Sequence, residues 1–356
     1  MSTDATAAED RTGNDGLVRR RSPGWTTRAA LAAVAVLALL LAGCGGNQST
    51  LNPKSGPSHD IATLWWFMLL AAVVVFGGTV FLLAVAVVRR DRPGLPFVGD
   101  RDLTQPLVVV FGVAIPVVVL VILFVISDVF LIRNTDAPAQ ASTRMTISVI
   151  GHQWWWEVRY RGSRAVTANE IHIPTGTSVD VELSTADVIH SFWVPQLNRK
   201  VDMIPGLHNR VQLYASTPGT YRGQCAEFCG LQHANMSMTV VAQPPAQFRR
   251  WLANMAAPAR TPTGPSQQRG KQVFLNNACA SCHTISGTSA QGRIGPDLSH
   301  LMTRKTLAAL TIPNTRAQLA RWITDPQQVK PGNKMPGLNL RPSQFHALVA
   351  YLESLR

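Results

Sequence analysis

Residues 225–236 read CAEFCGLQHANM, which places two cysteines, a histidine and a methionine in the spacing C-x3-C-x3-H-x2-M. Two thiolates and an imidazole select copper or zinc. The thioether shifts the choice towards copper, because methionine sulfur is a soft, weak ligand of electron-transfer copper. One blue-copper centre needs a single cysteine. A second cysteine four residues on allows two thiolates to bridge two metals, and the missing histidine must then come from elsewhere. The segments that flank the motif say what carries it. MTISVIGHQWWWEVRY (145–160), VTANEIHIPTGTSVDVELST (166–185), VIHSFWVP (188–195) and HNRVQLYAST (208–217) are short, rich in β-branched and aromatic residues, and broken by Gly, Pro and Asn. That pattern predicts an all-β sandwich or barrel.

A second motif lies downstream. CASCH (279–283) is C-x-x-C-H, the pattern of covalent c-type haem attachment. The competing reading, a thioredoxin-like redox pair, needs a βαβ context. Here the surroundings read as helices: RGKQVFLNNACASCH (269–283), TRAQLARWI (315–323) and PSQFHALVAYLESL (342–355). Zinc would want a second pair of ligands. A sixth iron ligand should be a methionine or histidine further on. Met335 in GNKMPG (332–337) is the candidate, ahead of Met302, His300 and His346. PPAQFRRWLANM (244–255) is a further helix, and PARTPTGPSQQ (258–268) reads as a linker.

The N-terminal third is of another kind. IATLWWFMLLAAVVVFGGTVFLLAVAVV (61–88) and PLVVVFGVAIPVVVLVILFVIS (106–127) carry no charge and are long enough to cross a bilayer as helices. Trp65 and Trp66 suit an interfacial belt, and Pro116 is tolerable where a neighbouring helix satisfies the freed carbonyl. Arg89, Arg90, Arg92 and Arg101 flank or fill the short loop between the spans, which predicts a cytoplasmic loop. The mature N-terminus and everything after residue 130 then lie outside. An earlier run, AALAAVAVLALLLA (29–42), is short for a span. It follows Arg19, Arg20, Arg21 and Arg28 and ends in Leu41-Ala42-Gly43-Cys44, like a signal-peptide core. This resembles the lipobox of bacterial lipoproteins, which implies a lipidated Cys44 at the mature N-terminus.

Composition agrees with a membrane protein that has soluble parts. Net charge is +13, yet charged residues are only 15% and apolar ones 46%, which argues against a nucleic-acid binder. The five cysteines fit a disulfide framework poorly. The expected divisions are a signal peptide over 1–43 and a tether over 44–60. A transmembrane hairpin over 61–132 follows, with spans at about 61–88 and 106–130. A copper domain over 133–257, a linker over 258–268 and a haem domain over 269–356 complete the chain.

The copper segment resembles the CuA domain of cytochrome c oxidase subunit II. The resemblance covers roughly residues 60–255 and includes GHQWWW (151–156) and KVDMIPG (200–206). It implies a cupredoxin-like Greek-key barrel and a two-copper centre. Cys225 and Cys229 would bridge the metals, and His190 and His233 would end them. Met236 would be a weak ligand and the Glu227 carbonyl a further one. The Glu227 side chain would reach a magnesium shared with subunit I, and Trp154 would stand where electrons enter. The family usually has a glutamate seven residues before the proline of the second span, at a proton-path mouth. This chain has Val109 there, flanked by Val108 and Val110.

Residues 266–356 resemble class I cytochromes c. That implies a haem on Cys279 and Cys282, with His283 and Met335 as axial ligands. GRIGPDL (292–298) would supply the Pro296 carbonyl to the His283 Nδ1 proton.

Together the resemblances imply subunit II of a proton-pumping cytochrome c oxidase of the caa type, working with subunits I and III in a bacterial plasma membrane. Its metal domains would be extracytoplasmic and an upstream cytochrome or bc-type complex its donor. A free-standing membrane-anchored carrier and a subunit of another haem–copper reductase are the competing readings. Residues 266–356 hold eleven Lys and Arg against three Asp and Glu, and residues 133–260 hold twelve against eight. Two basic domains should repel mildly, and the haem domain should favour an acidic donor.

Overall fold

The computed structural model describes residues 46–89, 101–132 and 145–356, with the isolated positions 32 and 135. The signal-peptide stretch, Cys44 and the arginine-rich loop 90–100 lie outside the described residues.

Helix α1 spans Gly56–Arg89, five residues earlier than its apolar run begins. The cause is local: the Ser58 N–H donates to the Ser55 Oγ at 3.1 Å, so Ser55 caps the first turn. The same turn is tied to the β domain. Ser58 Oγ donates to the Gln196 carbonyl at 2.8 Å, and Lys54 N–H donates to that carbonyl at 2.9 Å. The N-terminal end of the helix therefore holds the β domain directly.

The second apolar segment is continuous but irregular. Helix α2 (Arg101–Val109) runs into a π-helical turn at Val110–Ala114 and then into α3 (Ile115–Ile126). Proline 116 has no N–H to donate and crowds the carbonyl four residues back. A wider turn just before it, in which the Ile115 N–H reaches the Val110 carbonyl, relieves that crowding. Among the described residues, two helices are long and apolar enough to span a membrane, Gly56–Val88 and Gln105–Ile126. Val109, the last residue before the wide turn, is exposed on the helix surface.

The β domain is a sandwich of ten strands. One sheet has the order β3-β2-β1-β5-β8, with β1 Met145–His152, β2 Trp155–Tyr160, β3 Val166–Ala168, β5 Val179–Thr185 and β8 Asn209–Leu213. The other has the order β4-β10-β9-β6-β7, with β4 Glu170–Pro174, β10 Ser237–Gln243, β9 Gly219–Cys225, β6 His190–Trp193 and β7 Val201–Met203. The barrel implied by the resemblance thus takes the form of two open sheets packed face to face. Each sheet has one parallel pair, β1 with β5 and β4 with β10, which requires the chain to cross between sheets. Inward positions alternate as a half-buried strand demands: Ile147, Val149, Val181 and Leu183 are fully buried, and Val149 pairs with both Val158 and Leu183. Helix α4 (Pro245–Ala256) closes one end, with Trp251 stacked on His172 at 3.9 Å.

The haem-type domain is helical. Helix α5 (Pro265–Leu275) begins inside the expected linker, because Pro265 suits a first helical position and Gln267 folds back to the Gly264 N–H. It crosses the C-terminal helix α9 (Pro342–Glu353) where Phe274 meets Tyr351, ring centroids 6.1 Å apart. Between them lie α6 (Cys279–Cys282), α7 (Arg316–Thr324) and α8 (Pro326–Val329).

Candidate metal centres

Sheet pairing assembles the first site. His190 opens β6 and Cys225 closes β9, and these two strands are antiparallel neighbours with Phe192 opposite Cys225. β9 and β10 form a hairpin whose ends are held by the Cys225 N–H donating to the Met236 carbonyl at 2.9 Å. The loop between them must therefore return to its start, which brings Cys229, His233 and Met236 over Cys225. The sulfurs of Cys225 and Cys229 are 3.8 Å apart. His190 Nδ1 is 3.8 Å from Cys225 Sγ, His233 Nδ1 is 3.6 Å from Cys229 Sγ, and Met236 Sδ is 3.7 Å from Cys229 Sγ. The Glu227 carbonyl oxygen is 3.2 Å from Cys225 Sγ. His190, Cys225, Cys229 and Met236 are buried.

Five soft or borderline donors and one carbonyl oxygen therefore converge in one cup, a set that suits copper. The donors also fit electrostatically. A proton held between two close thiols favours the first ionisation, so hydrogen bonding from Cys229, with His190 beside it, pulls the Cys225 thiol down and pushes Cys229 up.

Gly151 of GHQWWW makes room for the ring of His190: a Cβ there would lie 2.7 Å from Cδ2. The three tryptophans take three roles. Trp156 is fully buried in the core, and Trp155 stacks on His152 at 4.3 Å. Trp154 is buried and donates from Nε1 to the Cys229 carbonyl at 3.0 Å. Met238, two residues past Met236, sits in the sandwich core. His172 is an ordinary barrel histidine, bonded to Gln243, whereas His208 is exposed. The Glu227 side chain is half-exposed, 3.8 Å from Lys200 Nζ.

Asp187 escaped the sequence reading. Its Oδ1 lies 2.9 Å from His190 Nε2, so Nδ1 of that ring is left free to face the sulfurs. Burial pushes the Asp187 carboxyl up, but bonds from His190 and from the N–H groups of Gln153 and Val188 outweigh it and hold the group well below the usual carboxylate range. An Asp three residues ahead of a candidate ligand is the signal that could have found it.

The second site is a cleft. Cys279, Cys282 and His283 line one side and Met335 another, and Phe274, Leu301, Leu319, Ile323, Leu348 and Leu352 supply apolar wall. His283 Nδ1 donates to the Pro296 carbonyl at 2.8 Å, which leaves Nε2 as the free ring nitrogen. Gly295 lies so close beneath the ring that a Cβ there would be 2.4 Å from His283 Cε1. Asn333 sets the methionine loop: its Oδ1 accepts from the Met335 N–H at 2.8 Å, and its Nδ2 donates to the carbonyls of Pro326 and Lys330. Met302 is absent from the cleft lining, and His300 donates instead towards the Ala257 carbonyl at 3.0 Å. A flat apolar group with two thioether attachments and two axial ligands fits this donor set. Trp154 and Trp155 of the β domain line the same cleft.

Comparison with known proteins agrees with both halves. The family model for the cytochrome c oxidase subunit II periplasmic domain matches residues 165–243, and that for cytochrome c matches residues 267–356. Cytochrome c oxidase subunit 2 of Alkalihalophilus pseudofirmus is 34% identical over 340 residues, 93% of this chain and 98% of that one. The subunit 2 of Bacillus sp. strain PS3 is 32% identical over 68% of this chain and 72% of its own length. The crystal structure of the periplasmic domain of the Bradyrhizobium japonicum oxidase subunit II overlays with a TM-score of 0.32, at 28% identity, covering 33% of this chain and 96% of that one. A membrane-anchored chain with copper-type and haem c-type domains in this order, matched nearly end to end by such a relative, belongs to the cytochrome c oxidase subunit 2 family and carries a cytochrome c domain on the same polypeptide.

Proposed function

We propose that this oxidase subunit receives electrons at its cytochrome c domain and hands them through a dinuclear copper centre to subunit I, where oxygen is reduced to water and protons are pumped. When bound, the haem and the copper pair supply one-electron exchange with little change of shape. The chain's own part is to hold them. Cys279 and Cys282 attach the haem, and His283 and Met335 are placed to bind its iron. Cys225, Cys229, His190, His233, Met236 and the Glu227 carbonyl would hold the coppers. Six donors from this chain would surround the metal, which suits relay rather than oxygen chemistry.

One observation carries the reading: Trp154 belongs to both sites at once. It lines the haem cleft and donates to the carbonyl of the bridging Cys229. Electrons would enter the copper domain there. The half-exposed Glu227 carboxylate is this chain's offer to a magnesium ion shared with subunit I. Subunit III, an upstream cytochrome or bc-type donor, a lipidated Cys44 and an extracytoplasmic placement of both domains at a bacterial plasma membrane complete the proposal. A cytochrome domain on the same chain replaces diffusional encounter with a high effective concentration. The proton path would start elsewhere than Val109.

Metal analysis of the full chain, combined with optical spectra, tests this. Two coppers and one covalently bound low-spin haem per chain are expected. One copper per chain, or a haem removed by acid-acetone extraction, would sink it.

A further inference from the structure

We infer that Lys330 is a positioning residue that latches the cytochrome domain onto the copper domain, fixing the haem cleft against Trp154. The inference rests on the relay reading above and adds how the two sites are held together.

Lys330 is 2% exposed although it is a lysine in a surface loop of its own domain. Its Nζ donates to three carbonyls: Trp154 at 2.9 Å, Asn235 at 2.8 Å and Ala308 at 3.1 Å. Two of these belong to the copper domain, and the third belongs to the haem domain. An ammonium has three protons, and here each has an acceptor. A neutral side chain would take this donor from the Trp154 and Asn235 carbonyls, which is the costly state, whereas the Ala308 carbonyl would keep the Thr311 hydroxyl.

The neighbours of Lys330 extend the same seam. Gln232 Nε2 donates to the Pro331 carbonyl at 2.6 Å, and Leu231 lies over Gly332. Lys334 Nζ is 3.5 Å from Asp187 Oδ2, and the Lys305 N–H donates to Glu170 Oε1 at 2.6 Å. Residues 330–334 run directly into Met335, so the segment that brings Met335 to the cleft is the segment that docks. Two basic domains meet without a cation-to-cation clash at these points, because the lysines face carbonyls and a carboxylate. The distinct cores of the two domains leave the latch free to be removed without emptying either one.

The test uses the full chain with haem and copper loaded. An electron is placed on the haem by a photoexcited reductant, and its arrival at copper is followed optically. Lys330→Met should slow that transfer about tenfold or more by lowering the docked fraction, while both metal spectra keep their wild-type form. Wild-type speed in the variant overturns the latch. Absence of transfer in the wild type overturns the relay reading instead, and labelling alone then decides the latch. That measurement needs no variant: in the native chain an amine-reactive acetylating reagent should modify Lys334 readily and Lys330 only after denaturation. Equal labelling of the two lysines overturns the inference even if Lys330→Met fails to fold.

Discussion

The copper cup and the haem cleft are both built from one short motif plus one distant residue, yet they are built differently. In the cup, the ligand atoms are each other's neighbours, at 3.6 to 3.8 Å across sulfur and nitrogen. A small ion needs such density, and a hairpin tied at both ends supplies it. In the cleft, the candidate ligand side chains stand on a wall of leucine, isoleucine and phenylalanine that no single loop provides. A large flat group needs surface, and helices α5, α7 and α9 supply it together. The orienting groups differ as well. His190 is held by a carboxylate, Asp187, and His283 by a neutral carbonyl, that of Pro296. A carboxylate makes its histidine a stronger donor, and a carbonyl does so more weakly.

The comparison can be broken from either side. Cys229→Ser should have the largest effect, abolishing the two-copper centre and electron transfer beyond it while the haem spectrum stays unchanged. Copper analysis beside the visible spectrum reads this, and a variant that keeps two coppers would show that Cys229 does not bridge. Asp187→Asn should be milder. Loss of the carboxylate behind His190 is expected to weaken copper retention about 10–100-fold, measured by competition with a chelator, again with the haem unaffected. On the haem side, Gly295→Ala is expected to push the His283 ring aside and cost the cytochrome domain about 1–3 kcal/mol, read as a lower melting temperature with the copper signal intact. An unchanged melt would mean that the loop beneath His283 yields, and that the close fit in the cleft is not required.

Much of this was legible in particular residues. Alternation at 145–151 and 179–185 marked strands, CASCH with GNKMPG pointed to residues that line one cleft, and C-x3-C-x3-H-x2-M marked the cup. Elements with a local cause but a weak pattern were misjudged at their edges. Helix α1 starts five residues early because Ser55 caps it, and α5 starts in the expected linker because Pro265 and Gln267 begin a helix there. Lys330 carried no pattern at all, and Asp187 only its place three residues ahead of a candidate ligand. Each acts on an atom that is distant in sequence or defined only by a ring's rotation, such as His190 Nε2 or the carbonyl of Trp154.

Which soft donors stand together in each short motif could be read from the sequence, because donor type and spacing are local properties that chemistry reads directly. The sequence by itself also determined the two apolar spans, since bilayer thickness sets a length that can be counted. Only the tertiary structure decided how the two sites face each other. That depends on strand order, which sets His190 beside Cys225, and on a buried ammonium finding three carbonyls across a seam. Such contacts are made between segments far apart in the chain, so their physical reason exists only once both domains have folded.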